Sequence, residues 1–316
     1  MKNVFCTLSD KNYLTYGLTL FESMKEHASE DFELRYLCLD KKTYGKLTSI
    51  QDSRLRPYFV DNFVLNHNMD RIRENHPSNP NDLSPFHWAL ASFYTNYLLN
   101  ILKFDREQIV TYIDSDIYFY RDPISIHKEL NHQEQYGGSG IASIGLITHK
   151  HVARQDNVPN VGYFNVGVVS FRNDVIGRSC CNFWKELVID TENPYSANYG
   201  SCGDQKYLEL FDRMFPGVVI LDHHIGHAAP WNICTSNVVD GNITWESHNV
   251  FGQGHPYTTQ PLDFYHFSHF KPDYKRGTYK VDAHGEWGNL LGNDHCKLIY
   301  DNYFKKCIET NKKYGL

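Results

Sequence analysis

Two carboxylates separated by one residue follow an apolar run in the chain. Residues 110–119 read VTYIDSDIYF, so Asp114 and Asp116 come directly after a pattern typical of a buried strand. Charges at such a position need a partner, because burial without one is costly and raises the pKa of a carboxyl group. A divalent cation is a suitable partner, since it prefers hard oxygen ligands, and ligands of α/β sheets bind at strand ends. The motif alone leaves a metal site and a pair of solvated aspartates at a turn equally open.

Three further segments place polar side chains where predicted strands or helices begin or end. They are residues 164–171 (FNVGVVSF), 203–208 (GDQKYL) and 264–272 (FYHFSHFKP). Asn165 stands at the start of an apolar strand, and Asp204 and Gln205 stand where a helix begins. His266 ends a short strand, and Lys271 follows five residues later. On its own, His266 is more typical of a hydrogen-bonded core histidine than of a metal ligand.

The elements that must position these residues alternate between strand-like and helix-like patterns. Strand-like runs occupy residues 4–8, 34–39, 59–65, 109–113, 141–147, 164–171, 218–221 and 264–267. Apolar residues at helical spacing follow Tyr13 and Pro85 and recur in residues 181–188 and 296–308. This alternation predicts an α/β fold with a mainly parallel central sheet flanked by helices.

The spacing of glycine, proline and polar residues suggests where the regular elements stop. Residues 66–82 are rich in Asn, His and Pro and are predicted to form a long loop or lid. The main sheet is expected to end near Asn237, and residues 238–293 are expected to be rich in loops.

Composition restricts the classes of partner. The chain has 316 residues and a formal net charge of −6, which argues against binding to a nucleic-acid polymer. No apolar run approaches the roughly 20 residues that span a bilayer, and the chain turns polar at Ser9, too early for a signal peptide. Its eight cysteines form no C-x-x-C pair. We therefore expect a cytoplasmic protein with mostly buried free thiols.

Taken in order, the four motifs resemble those of the retaining GT-A glycosyltransferases of family 8, which include glycogenin and bacterial lipopolysaccharide glycosyltransferases. Residues 5–13 (FCTLSDKNY) are similar to the nucleotide-binding start of that family, and residues 226–232 (GHAAPWN) to a bacterial branch. The resemblance implies the GT-A nucleotide-diphospho-sugar transferase fold. Residues 1–237 would form the catalytic domain, and residues 238–316 a C-terminal extension that closes the donor site and ends in an amphipathic helix.

The resemblance also implies a role for each matching residue. The metal, Mn²⁺ or Mg²⁺, would be held by Asp114, Asp116 and His266. Asp114 and Lys271 would contact the diphosphate. The nucleotide base would be contacted by Thr7, Leu8 and Tyr13. The donor sugar and the acceptor hydroxyl would be faced by Asn165, Asp204 and Gln205.

The activity implied is metal-dependent transfer of a sugar from a nucleotide diphosphate, expected to be UDP, to a glycan or lipid-linked acceptor with retention of configuration. The expected setting is bacterial surface polysaccharide or lipopolysaccharide synthesis, in the cytoplasm or at the inner face of the membrane. Lysines of the last helix could then touch anionic lipid, although such a helix more often packs on its own domain and keeps its charges solvated. Two alternatives stay open: a phosphatase of the haloacid dehalogenase type with Asp114 as nucleophile, and a sugar-nucleotide-binding module without catalysis.

Some residues depart from the family pattern or imitate another site. Thr95, Asn96 and Tyr97 occupy a stretch where many members carry an arginine, and Lys271 is one residue closer to His266 than is usual. His223 and His227 have the i, i+4 spacing of a zinc helix, but the segment also contains glycine and proline, which break helices. We therefore expect a loop that lines the active site here.

Overall fold

The protein is described by a computed structural model. It covers residues 3–67, 84–101, 105–131, 141–150, 161–190, 192–200, 203–233, 236–239, 241–245, 259–281 and 290–316. Its centre is a seven-stranded sheet in the order β3-β2-β1-β4-β7-β6-β8. These strands are β1 (Asn3–Ser9), β2 (Phe32–Cys38), β3 (Leu55–Phe59), β4 (Ile109–Ile113), β6 (Ile144–Thr148), β7 (Phe164–Arg172) and β8 (Val218–Ile220).

Most neighbouring strands of this sheet run parallel, and only β7 runs antiparallel to both of its neighbours. Every residue of β4 (IVTYI) and β6 (IGLIT) is buried, as expected for strands covered on both faces. The prediction of a mainly parallel sheet is therefore confirmed. Within the described residues the last strand of this sheet ends at Ile220, so the predicted limit near Asn237 was too late.

Helices cover both faces of the sheet. They are α1 (Leu14–His27), α2 (Lys41–Thr48), α3 (Val60–His67), α4 (Ser84–Ile101), α5 (Ser125–Asn131), α6 (Val175–Ile189), α7 (Ser196–Tyr199), α8 (Phe211–Met214) and α9 (Asp294–Tyr314). One core lies between the sheet and helices α4 and α6. A second core lies on the opposite face, under α1. Successive residues of β1 point into the two cores in turn, as the twofold repeat of a strand requires.

The predicted strand at residues 59–65 was wrong. Strand β3 ends at Phe59, and the chain turns into α3 at Val60. Val60 and Phe63 are buried while the two residues between them are exposed, which is the pattern of a helical turn. The Phe63 ring packs edge-on against the rings of Tyr58, Tyr94 and Tyr97. Most of the predicted lid, residues 68–82, lies outside the described residues.

Short strands beside the main sheet build three small sheets. They are β5 (Ile117–Phe119), β9 (His227–Ala228), β10 (Ser236–Val239), β11 (Asn242–Trp245), β12 (Thr259–Pro261), β13 (Phe264–His266), β14 (Phe270–Asp273) and β15 (Thr278–Val281). Their orders are β5-β13-β9, β10-β11-β12 and β14-β15. Five of these strands, β11 to β15, fall within residues 238–293, where the strand-like run 264–267 had predicted β13. The other four were missed, because strands of three or four residues are too short to show a clear alternation.

Helix α9 packs on α1 and on the segment that follows β13, forming a third core rich in aromatic rings. The helix begins at the cap residue Asn293, whose side chain accepts hydrogen bonds from two backbone amides, and ends at Gly315 in a left-handed conformation. None of the described helices is both long enough and apolar enough to cross a membrane. The six described cysteines are buried and free, as predicted.

Candidate active site

The two aspartates of the sequence motif lie at the carboxyl end of β4. The backbone amide of Asp114 donates a hydrogen bond to the carbonyl of Gly167 in β7, at 2.9 Å. The chain then turns, and the amide of Ile117 donates to the carbonyl of Asp114 at 3.2 Å. Strand β5 therefore begins immediately after Asp116. Both carboxylates are fixed by the backbone between a strand of the main sheet and a strand of a small one.

His266 reaches these carboxylates because β13 pairs antiparallel with β5. In this register His266 lies opposite Ile117, and the amide of Phe267 donates to the carbonyl of Asp116 at 2.8 Å. The Nε2 atom of His266 is 3.1 Å from Oδ1 of Asp116 and 3.6 Å from Oδ2 of Asp114. One donor atom from each of the three side chains lies within 4.8 Å of the other two. The three predicted metal ligands therefore converge on one point.

The electrostatics of the cluster favour a cation. Burial raises the pKa of Asp114 above its usual value; His266 and the Tyr112 hydroxyl act against this, and the charge of Asp116 adds to it. Burial alone would lower the pKa of His266, but Asp116 and Asp114 raise it above its usual value. Two carboxylates and one imidazole are a donor set that suits a divalent ion such as Mn²⁺. The residues present therefore fit the metal that the resemblance implied.

Gly167 leaves the room that His266 occupies. A Cβ atom built on Gly167 would lie 2.8 Å from Nδ1 of His266 and 2.5 Å from Oδ1 of Asn165. Distances this short do not occur for real Cβ atoms, so a side chain here would displace one of these neighbours. A glycine at this position is required by the approach of the imidazole.

Asn165 and Gln205 form a hydrogen-bonded pair beside the cluster. The Asn165 side-chain amide donates to Oε1 of Gln205 at 3.0 Å and contacts Nε2 of His149 at 3.1 Å. Its carbonyl oxygen accepts from the amide of Gly167 at 2.9 Å. Gln205 in turn donates to the carbonyl of Val161 at 2.9 Å. With both ends of each amide engaged, the orientation of Asn165 and Gln205 is determined by the protein.

Asp204 is the third predicted acid, and it is buried. Its backbone carbonyl accepts a hydrogen bond from the indole of Trp184 at 2.8 Å. Its Oδ2 atom has no hydrogen-bond partner among the residues that the structure describes. Burial raises its pKa well above the usual value, and the charge of Asp114 adds to the effect. The side chain is therefore close enough to sense the charge of Asp114, and its Oδ2 atom is a buried acceptor without a partner among these residues.

The residues that the resemblance assigned to the nucleotide have different surroundings. Thr7 is fully buried in β1, and Leu8 after it is half-buried. Tyr13 is 46% exposed just before α1, and its pKa is raised to about 12 by burial and by Asp116, Asp10 and Asp114. Lys271 lies on the exposed side of β14, opposite Lys280 of β15. Tyr13 is thus near the acid pair, and nucleotide contact by all four residues stays a prediction.

Two side chains of the site were missed by the sequence reasoning. The hydroxyl of Tyr112 donates to Oδ1 of Asp114 at 2.8 Å, leaving the other oxygen towards His266. Tyr112 lies two residues before Asp114, so the alternation of a strand could have predicted a common side. No local sequence pattern indicates His149, because it reaches Asn165 only through the pairing of β6 with β7. The ring of Trp231 packs edge-on against His149 and His266, at 5.4 and 5.3 Å.

The histidine pair that imitated a zinc site belongs to a different arrangement. His227 lies in β9, which pairs with β13, rather than in a helix or in the predicted loop. Its Nε2 atom is 2.9 Å from Oδ1 of the partly buried Asp222, and its ring stacks on Phe264. The side chain of His223 lies outside the described residues. In the part of the chain that the structure describes, the cluster of side chains that could hold a metal ion is that of Asp114, Asp116 and His266.

Relatives of this chain are found in Bacillus subtilis. The uncharacterized protein YfnF is 28% identical over 279 residues, which cover 86% of this chain and 82% of that protein. The uncharacterized protein YfnD is 26% identical over 277 residues, covering 84% and 77%. No protein-family model matches the chain.

Two solved structures are similar over most of their length. The galactosyltransferase LgtC, in complex with donor and acceptor sugar analogs, has a TM-score of 0.55 and 13% identity, and the match covers 97% of this chain and 95% of that one. The apo form of mouse xyloside xylosyltransferase 1 has a TM-score of 0.50 and 13% identity, with 85% and 98% covered. With the mainly parallel sheet and its flanking helices, these likenesses show that the chain has the GT-A glycosyltransferase fold.

Proposed function

We propose that this chain is a metal-dependent glycosyltransferase that moves a sugar from a nucleotide diphosphate to an acceptor hydroxyl. The observation that carries the proposal is the convergence of Asp114, Asp116 and His266 at the carboxyl end of β4, within a GT-A fold. A divalent ion bound there would act as a Lewis acid and stabilise the negative charge that develops on the leaving diphosphate.

Side chains of this chain fix the orientation of the groups that would contact the metal and the sugar. Tyr112 holds Asp114 by one oxygen, so that the other oxygen and His266 face the same point. Asn165 and Gln205 present amides of determined orientation, and Gln205 is proposed to support the positive charge of the sugar. Asp204, with its unpaired oxygen, is proposed to orient sugar or acceptor hydroxyls. These roles match transfer with retention.

Several finer assignments belong to the proposal. The imidazole ligand favours Mn²⁺ over Mg²⁺, because nitrogen ligands suit the softer ion better. UDP is proposed as the nucleotide, with its base on Tyr13 and β1 and its diphosphate near Lys271. The exposed ring of Tyr13 and the effect of both metal-binding aspartates on its pKa support this placement. Residues 238–316 are proposed as an extension that completes the donor site, which the position of His266 supports.

The acceptor is proposed to be a glycan or lipid-linked saccharide of bacterial surface polysaccharide synthesis, used at the inner face of the membrane. Helix α9 would supply the membrane contact. Lys306 and Lys313 are paired with Glu26 and Glu22 of α1, at 3.1 and 2.5 Å. Lys305 and Lys312 are exposed instead, and Ile308 between them is 43% exposed. This side of the helix carries the two lysines and the apolar residue together with the exposed Glu309, and its excess of positive charge supports the proposal.

The two alternatives make different demands on Asp114. As the nucleophile of a phosphatase it would need an oxygen aimed at a phosphate, whereas here one oxygen is held by Tyr112 and the other faces His266. A binding module without catalysis would keep the metal cluster, and it differs from the proposed enzyme only in turnover. The glycosyltransferase proposal is therefore tested in two steps.

The first step measures the thermal unfolding midpoint with UDP, with Mn²⁺ and with both. We expect stabilisation by UDP only when Mn²⁺ is present, by about 2.7 kcal/mol at a UDP concentration 100 times the Kd. Asp116→Ala should abolish this stabilisation. The matched control Asp212→Ala removes an exposed acid of α8 and should retain it. Binding without metal, or an unaffected Asp116→Ala, would contradict the assigned site.

The second step separates the enzyme from the binding module. UDP release from UDP-glucose, UDP-galactose and related donors is measured with Mn²⁺ present. Slow hydrolysis of at least one donor, lost in Asp116→Ala, is expected of a transferase. Binding of UDP with metal and no turnover of any donor would favour the binding module.

A further inference from the structure

An exposed tryptophan interrupts an otherwise buried helix. Residues 89–96 of α4 are all buried, whereas Trp88 is 50% exposed. Trp184, in contrast, is fully buried in α6. An indole is among the largest apolar side chains, and its burial is a main source of core stability. The packing of α4 therefore does not explain why a tryptophan occupies position 88.

The direction of α4 places Trp88 at the same edge of the sheet as the metal cluster. The helix packs on β1 and β4, and a short connection joins its last residue, Ile101, to Ile109 at the start of β4. The end of α4 consequently lies at the amino end of β4. Its first turns, with Trp88, lie at the opposite edge, where β4 ends and Asp114 begins.

The immediate neighbour of the indole is the loop that carries Asp204. A Cβ atom built on Gly203 would lie 3.0 Å from Cε3 of Trp88, so the ring rests against the backbone of Gly203. Gly203 has a φ of +56°, a conformation in which a glycine is favoured. The next residue is Asp204, whose Oδ2 atom has no partner among the described residues. The indole thus borders the loop that carries the unpaired carboxylate of Asp204.

Trp88 and Tyr13 belong to segments on opposite faces of the main sheet. Tyr13 precedes α1, which covers one face of the sheet, while α4 covers the other. A nucleotide on the Tyr13 side, with its diphosphate at the cluster, directs its sugar towards Asp204. With retention, the acceptor hydroxyl attacks from the face that the diphosphate leaves, so the acceptor ring must lie beside the donor sugar, near the Asp204 loop that Trp88 borders.

We propose that Trp88 is the platform on which the acceptor saccharide stacks one face of a pyranose ring, beside Asp204. This inference rests on the proposed function. Aromatic rings and a few placed polar groups are the ordinary lining of small-molecule sites, and the exposed indole of Trp88 on the Asp204 loop supplies the aromatic face. The ligand class is a hexopyranoside with an exposed apolar ring face.

The test uses the full chain labelled with 5-fluorotryptophan, with UDP and Mg²⁺ bound. The resonance of Trp88 is assigned from its loss in Trp88→Phe. The probes are the α and β methyl glycosides of glucose, galactose and mannose, with acyclic mannitol as the control. We expect at least one glycoside to shift the Trp88 resonance saturably, and mannitol to leave it unchanged.

Affinity measurements with two variants complete the test. Trp88→Ala should weaken binding of the active glycoside about tenfold, whereas Trp88→Phe should retain most of it because an aromatic face remains. Both variants should keep the UDP and metal stabilisation of the unmodified chain, which also shows that they are folded.

No shift with any glycoside would overturn the proposal. The proposal would also be overturned if Trp88→Ala lost more affinity for UDP-glucose or UDP-galactose than for UDP. That result would place the indole at the donor sugar. Failure of the proposed function is distinct, because it appears as a lack of metal-dependent UDP binding in the unmodified chain.

Discussion

Asp114 is held at both of its oxygen atoms, and the two contacts have different consequences. Oδ2 faces His266, so this oxygen belongs to the metal cluster. Oδ1 accepts the hydrogen bond of Tyr112, which is buried in β4. Side chains that orient a metal ligand in this way affect metal affinity without touching the ion.

Removal of the Tyr112 hydroxyl should therefore weaken the metal site while the ring keeps its packing. We expect Tyr112→Phe to lower the Mn²⁺ affinity about 10- to 100-fold, measured as the Mn²⁺ concentration needed for stabilisation by UDP. The control Tyr36→Phe removes another buried hydroxyl, which is bonded to Ser9 at 2.6 Å in the main sheet. Equal Mn²⁺ requirements for the two variants would contradict the role given to Tyr112.

Gly167 gives a second prediction at this scale. Gly167→Ala should abolish stabilisation by UDP and Mn²⁺, because the new Cβ atom displaces His266 or Asn165. Gly45→Ala in α2 is the matched control, since a Cβ atom there meets nothing within 4 Å. It should leave nucleotide binding unchanged and raise stability by up to about 1 kcal/mol. Retention of metal-dependent binding in Gly167→Ala would show that the approach of the imidazole is not restricted by this glycine.

Some residues of the site could be predicted from the sequence, and others could not. Asp114 and Asp116 follow an apolar strand and His266 ends another, but the prediction that they share a metal came from the resemblance of the ordered motifs to family 8. Asn165 and Gln205 were predicted to face the same sugar, and they are hydrogen-bonded to each other. His149 joins them only through the pairing of β6 with β7, which no local pattern reports.

At the scale of elements, α9 supports the strand that carries His266. Tyr303 of α9 is almost fully buried, and its ring stacks on Phe267 with 3.6 Å between the ring centres. Phe267 follows His266, and its amide is bonded to Asp116. Helix α9 therefore packs against and supports Phe267, the residue next to the proposed metal ligand His266.

Loss of the Tyr303 ring should consequently affect both stability and binding. Tyr303→Ala leaves a cavity and should lower the free energy of unfolding by about 3–5 kcal/mol. It should also weaken the metal-dependent binding of UDP. Leu298→Ala removes a side chain of the same helix that is 58% exposed, and we expect it to change stability by no more than about 0.5 kcal/mol. Urea unfolding of both variants checks this. Similar losses in the two would contradict the buttressing role of Tyr303.

Elements with a clear period of apolar residues could be predicted, whereas the short strands of the small sheets beside the site were harder to predict. Helix α4 and strands β1, β4 and β7 follow patterns long enough to be recognised. The error at residues 59–65 arose because an apolar run can be a strand or a helical turn, and the aromatic contacts of Phe63 decide between them. Strands β10 to β12 and β14 to β15 are short and pair locally, so their patterns are weak.

At the scale of the whole molecule, one buried histidine couples folding to pH. His127 of α5 is buried against β1 and β4, where its ring nitrogens contact Thr111 and Asn3, each at 2.9 Å. Its ring stacks on Phe5. Burial lowers the pKa of His127 to about 3, and Arg172 adds to the effect. Between pH 6.5 and 3 the unfolded chain takes up a proton that the folded chain does not, so stability falls as the pH falls.

The expected size follows from this difference in protonation. Lowering the pH from 7.5 to 5.5 should reduce the free energy of unfolding of the unmodified chain by about 1.4 kcal/mol more than that of His127→Gln. Glutamine keeps two hydrogen-bonding ends but does not titrate. Urea unfolding at the two pH values measures both chains. Other groups, such as Asp263, whose pKa is raised to about 6 by burial, titrate in both and cancel in the comparison. Parallel pH dependences would show that His127 is not the group responsible.

The pairing of β5 with β13 joins residues that are far apart along the chain, and this has a consequence for biosynthesis. His266 is translated roughly 150 residues after Asp116, which takes about 10–30 s at ordinary ribosomal rates. During that interval the nascent polypeptide carries the two aspartates without their histidine, so the complete ligand set does not yet exist. Competence to bind the proposed metal would therefore arise only after the main sheet has been synthesised.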